Sequence, residues 1–194
     1  MADFLGPGFD SRRLHQPTAG DMSTTTLLTF AEFENMPEKP GKQELIAGEV
    51  IEMPPPDISH TLTTEAVVDL LRGVLGKARV HMEAGFLLAG TNWVQPDAAV
   101  LWPDQPRTRK YWTGSPMAAI EVLSEHKSAQ YVQDKLELYF NHGAREVWVV
   151  SRKRMSITVY RRGEDGATSG TRVTDEYTPE WLGVAVKPAE LITP

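Results

Sequence analysis

The sequence predicts an α/β domain with a mixed central β-sheet flanked by helices. Three observations carry that expectation. Two long stretches, Ile58 to about Leu75 and Ser128 to His142, repeat apolar residues at spacings of three and four, the period of a helix with one buried stripe. Short apolar runs bounded by Gly, Pro and Ser fall between and after them and read as strands. Along the chain the order is helix, strands, helix, strands, which suits helices packed on a sheet.

At 194 residues, 41% hydrophobic and 24% charged, the chain suits one domain with a sizeable core. No apolar stretch approaches the ~20 residues that span a bilayer, and Met1–Asp10 lacks the charged-then-apolar order of a secretory signal. The expected setting is therefore the cytoplasm, with no membrane partner. Without cysteine there is no disulfide framework and no thiolate metal site. Any metal would be held by oxygen or imidazole, which favours Mg²⁺ or Mn²⁺ over structural zinc.

Residues 1–26 carry Gly, Pro, Ser and a Thr run with little periodicity and read as a disordered leader, leaving 27–194 as the folded domain. Thr29 and Glu32 have the spacing of a capping box, so a short helix starts there and ends across Pro37–Gly41. Gln43 to Met53 reads as a hairpin turning at Ala47-Gly48, and Pro54-Pro55-Pro56 stops its second strand. The helix from Ile58 follows, with Gly76 as its stop. Arg79–Leu88 and Asp97–Leu101 are strand-like, and a polar loop, Pro103–Pro116, leads to the apolar run Met117–Leu123. After the second long helix, stopped by Gly143, Glu146–Val150 and Ser156–Tyr160 form a hairpin. A loop over Gly163–Gly170, a strand near Thr171–Tyr177 and a segment from Trp181 to Ile192 complete the order.

Glu121 lies inside a run that would be buried on both faces, where an ionised carboxylate costs several kcal/mol unless paired, hydrogen-bonded or metal-bound. Asp97, after Pro96, opens a neighbouring strand and can face the same side. Two converging carboxylates with a backbone carbonyl offer Mg²⁺ hard oxygen ligands and leave positions for water and a phosphate oxygen. Lys135 has Tyr131, Val132, Leu138 and Tyr139 three and four positions away, so it falls within the inward stripe and can pair with Glu121. Glu44 is a candidate third acid and His60, at a helix start, a candidate contact to phosphate or water; Glu83 and Ser124 are weaker candidates.

The net charge of −6 weighs against a broad nonspecific nucleic-acid footprint, but the distribution is uneven. Six basic residues (Arg145, Arg152, Lys153, Arg154, Arg161, Arg162) face one acid, Glu146, between Gly143 and Arg162. Arg107, Arg109 and Lys110 form a second group between the two acid-bearing strands. Either group could contact phosphate or simply keep loops and strand edges solvated. There is no Gly-x-Ser-x-Gly, no phosphate loop ending in Lys-Ser/Thr and no His-Glu-x-x-His, which disfavours serine hydrolase, nucleotide triphosphatase and zinc protease.

Glu44-Leu45-Ile46-Ala47-Gly48-Glu49-Val50, then His60, Pro96-Asp97, Ile120-Glu121-Val122-Leu123-Ser124, Asp134-Lys135-Leu136 with Tyr139, and Gly143 to Val150 resemble, in order, the Uma-two family of putative restriction endonucleases. The resemblance spans roughly Thr29 to Ile192. It implies the restriction-endonuclease-like core of the PD-(D/E)XK nuclease superfamily, with Asp97 and Glu121 as Mg²⁺ ligands and the Val122 carbonyl beside them. The superfamily's lysine would fall at Leu123; the resemblance places it instead on the helix, as Lys135. The expected function is a Mg²⁺- or Mn²⁺-dependent endonuclease hydrolysing DNA phosphodiesters, with a homodimer left open. The alternative is a catalytically silent nuclease-fold module that binds nucleic acid or a protein partner.

Overall fold

The computed structural model describes residues 26–37, 39–124 and 128–193, so the expected leader lies, but for Thr26, outside the described residues. The elements are α1 (Phe30–Glu34), β1 (Lys42–Ile46), β2 (Glu49–Met53), α2 (Ile58–Leu75), β3 (Val80–Met82), β4 (Phe86–Ala89), β5 (Asn92–Val94) and β6 (Ala98–Val100). They continue as β7 (Trp112–Thr113), β8 (Ala118–Val122), α3 (Ala129–Asn141), β9 (Glu146–Ser151), β10 (Ser156–Arg162), β11 (Thr168–Val173) and α4 (Pro188–Leu191).

Each longer helix starts on a side chain able to satisfy a free N–H. Asp57 accepts from the His60 amide and caps α2; Ser128 accepts from the Tyr131 amide and caps α3. Thr29 and Glu32 form the capping box of α1. Ala47 and Gly48 both have positive φ, 51° and 82°, the backbone of the two-residue turn that suits the twist of a hairpin.

The mixed central sheet runs β11-β10-β9-β8-β6-β3. Its parallel pair, β8 with β9, is bridged by α3, because parallel neighbours need a long crossover. One face packs against α2 and the C-terminal segment: Ala118, Ile120, Val122, Trp148 and Val150 meet Val67, Val68, Leu71 and Leu191. The other meets α3 and a second sheet, where Ala99, Ala119 and Val147 join Phe86, Val94, Leu136 and Tyr139. β8 is thus buried on both faces, as its composition predicts.

The second sheet, order β2-β1-β5-β4-β7, is where the structure departs from the expected elements. Arg79–Leu88 is not one strand. Glu83 sits at φ 48° and breaks it, sending β3 to the central sheet and β4 to the second. β5 and the two-residue β7 lie in segments too short and polar to show a period. The last strand begins at Thr168 rather than Thr171, because β10 extends to Arg162 and pairs with it, shortening the loop.

Candidate active site

β1 carries two side chains to the same place. Lys42 and Glu44 are two residues apart and so share a face of the strand. Glu44 is fully buried and accepts from the Gln95 amide at 2.7 Å and the Tyr131 hydroxyl at 2.6 Å. β6 and β8 pair antiparallel with Ala98 opposite Ile120, so the next step of that register sets Asp97 against Glu121. Asp97 Oδ2 accepts from the Val122 amide at 2.7 Å, which fixes the aspartate to the strand that bears the glutamate.

Lys135 joins these parts. Its Nζ lies 2.8 Å from Glu44 Oε1 and 2.5 Å from Glu121 Oε1, with only 1% of the residue exposed. The Tyr139 hydroxyl donates to Glu121 Oε1 at 2.8 Å, and the rings of Tyr131 and Tyr139 lie 5.4 and 5.5 Å from the ammonium. Burial by itself would lower the lysine's pKa, but the charges of Glu121 and then Glu44 outweigh it, and the net shift is upward. Lys135 is therefore a cation throughout the neutral range. Burial first, then the carboxylate charges, raises both tyrosines, so their hydroxyls stay protonated donors.

A second cation, Lys42, sits beside Asp97. Its Nζ lies 3.1 Å from Asp97 Oδ1 and 3.8 Å from Glu44 Oε1. His60 Nε2, one turn into α2, lies 3.3 Å from Asp97 Oδ2. Among the described residues, three carboxylates (Glu44, Asp97, Glu121) thus meet two ammonium groups (Lys42, Lys135). Of the sequence candidates, Asp97, Glu121, Lys135, Glu44 and His60 form one connected group, and Val122 holds Asp97 through its amide.

The group opens into a cleft of about 870 Å³. Lys42, His60 and Asp97 line it, with Glu83 and Ser124, and Arg152 and Lys153 come from the β9–β10 turn. Arg152 is held bidentately by Asp57 at 2.7 and 2.8 Å. Much of the basic stretch is structural: Arg145 pairs with Glu180, Arg161 with the buried Glu146, and Arg162 donates to Asn141. In the second basic group, Lys110 pairs with Glu34 and Arg107 stacks over Trp112.

Sequence reasoning missed Lys42 and the hydroxyl roles of Tyr131 and Tyr139. The signals were present: a lysine two positions before a strand glutamate, and tyrosines four residues either side of an inward lysine. Among the described residues no group of three His, Asp or Glu side chains is arranged to hold a metal ion by itself. Two facing carboxylates on adjacent strands, in a chain without cysteine, still fit a hard divalent ion that keeps water or substrate oxygens as its remaining ligands.

Compared with family profiles, residues 30–186 match Uma2, described as "Putative restriction endonuclease". The chain belongs to the Uma2 family. The Uma2 match begins at the first residue of α1 and encloses Lys42, Glu44, His60, Asp97, Glu121 and Lys135. Among solved structures, a protein from Anabaena variabilis described as a putative nuclease belonging to DUF820 superposes with a TM-score of 0.73. It is 22% identical and the alignment covers 84% of this chain and 97% of that one, a likeness of fold. No curated protein sequence matches the chain.

Proposed function

We propose that the protein is a divalent-metal-dependent endonuclease that hydrolyses DNA phosphodiester bonds in the cleft beside Asp97. The observation that carries this reading is the pairing of Asp97 and Glu121 from adjacent strands, with Lys135 locked beside Glu121 and with Asp97 in the wall of an open cleft. Membership of the Uma2 family and the nuclease fold support it.

In this reading Asp97, Glu121 and the Val122 carbonyl hold Mg²⁺ or Mn²⁺. Bound there, the ion supplies Lewis acidity and activates water. The protein's own groups do the rest. Val122 N–H and His60 aim the Asp97 carboxylate, and Tyr139 aims that of Glu121. Lys135, kept cationic by Glu121 and Glu44, fixes both carboxylates from behind and adds positive potential to the site without itself reaching the phosphoryl group. Glu44 anchors that lysine and is itself held by Tyr131 and the Gln95 amide. Among the described residues no helix is long and apolar enough to cross a membrane.

The test is Mn²⁺ titration by calorimetry and cleavage of varied DNA, comparing wild type with Asp97→Ala and Glu121→Ala. The expected result is binding and cleavage in the wild type and loss of both in each variant. DNA left intact by the wild type, with Asp97→Ala indistinguishable from it, overturns the reading. One observation favours the alternative, a silent module that binds nucleic acid or a protein: Lys135 already pairs with both glutamates. Absence of Mn²⁺ binding in the wild type would move the assignment to it.

A further inference from the structure

Among the described residues two ammonium groups pair with the site's carboxylates, and they are not equivalent. Lys135 is sealed: it is 1% exposed, donates to Glu44, contacts Glu121, and has a tyrosine ring on either side. It is not part of the cleft wall. Lys42 is part of that wall and keeps 14% of its side chain exposed. An ammonium has three donors. Lys42 makes a hydrogen bond to Asp97 Oδ1 at 3.1 Å, while Glu44 at 3.8 Å is beyond hydrogen-bond reach. Across the cleft the Arg152 guanidinium already has its fork closed on Asp57. Lys42 is thus the ammonium next to Asp97 with donor capacity turned to the opening.

We propose that Lys42 is the residue that contacts a non-bridging phosphate oxygen of nucleic acid in this cleft, and that Lys135 is a positioning residue behind it, fixing Glu44 and Glu121. This rests on the nuclease reading for the class of ligand, but not on turnover. The chemistry needs a cation that reaches the ligand, sits beside the acid pair and is not saturated by it. Lys42 meets all three conditions, and Lys135 fails the first and the last. The departure from the superfamily pattern at Leu123 then has a structural counterpart: the strand position that would carry the reaching lysine is apolar, and a lysine from a different sheet faces the same aspartate.

The experiment is duplex DNA binding by fluorescence anisotropy over a range of salt, with Ca²⁺ present to allow binding without cleavage. Each phosphate neutralised contributes about 0.9 to the slope of log affinity against log salt. Lys42→Met is expected to weaken binding and to reduce the slope by about 0.9, and Lys42→Arg to retain it. Lys77→Met, which removes the same charge in the exposed turn at the far end of α2 from His60, is expected to leave the slope unchanged. Circular dichroism melts confirm that each variant is folded. An unchanged slope in Lys42→Met, or an equal loss in Lys77→Met, overturns the proposal whether or not the protein cleaves DNA. Wild type that binds DNA but never cleaves it, with the slope lost in Lys42→Met, removes the nuclease reading and keeps the phosphate contact. Wild type that does not bind DNA at all overturns both.

Discussion

Replacing Lys135 with Met keeps most of the side chain's volume and removes its charge. In the wild type the ammonium lies 2.8 Å from one carboxylate and 2.5 Å from another. At an effective dielectric of about 20 each such contact is worth roughly 6 kcal/mol of attraction. Burying three charged groups offsets most of that, so the net contribution of the cluster is small, but breaking it is not. Removing one partner from a buried pair costs about 3–5 kcal/mol, because the other charges stay buried without compensation. Here two carboxylates, both within a few per cent of full burial, would be left. Tyr131, Tyr139 and the Gln95 amide still bond them, which limits the loss towards the lower part of that range. Urea denaturation at pH 7 is the assay: with a slope of about 2 kcal/mol per molar, a loss of about 3 kcal/mol moves the midpoint by about 1.5 M.

Lys135 also sets a pH window. Its folded pKa is raised, so its contribution is complete below the unfolded value near 10.4 and is lost only as pH climbs through the folded one. The gap between wild type and Lys135→Met should therefore hold from pH 7 to pH 9. A loss under about 1 kcal/mol, or a gap that closes between pH 7 and pH 9, would refute the view that Lys135 compensates buried acids.

Two further predictions test how the site is framed. Asp57 is held below the usual carboxylate range chiefly by the hydrogen bond from Arg152 and then by the His60 amide. Its stabilising share is therefore present above the unfolded pKa near 3.9 and fades as pH falls through the folded value; Asp57→Asn should lower the urea midpoint more at pH 7 than at pH 3, and an equal gap at both would sink the argument. Gly41, just before Lys42, has φ +96°, and a Cβ there would lie 2.3 Å from the Met53 carbonyl oxygen. Gly41→Ala should cost at least about 1 kcal/mol and lower Tm by about 2–4 °C or more; an unchanged melt would mean the hairpin's entry is not fixed at that residue.

The sequence by itself determined what acts over a few residues. Periodicity and capping side chains set α2 and α3, the Ala47-Gly48 turn set the β1–β2 hairpin, and the acid inside β8 marked a group that needed a partner. The inward stripe of α3 likewise placed Lys135 in the interior. What only the tertiary structure decided is which strands meet. Glu44 and Lys135 are 91 residues apart, and their contact depends on a second sheet assembled partly from β5 and β7, which are too short to carry a readable period. The split of residues 79–88 at Glu83 is invisible locally, since both halves are strands and only their destinations differ. Lys42 was hidden for the same reason. At the start of a hairpin it reads as an exposed lysine, and it becomes part of the site only when β1 pairs with β5 beside the loop that carries Asp97. Pairing across sheets is settled by burial shared among distant segments, and no window of the chain contains that information.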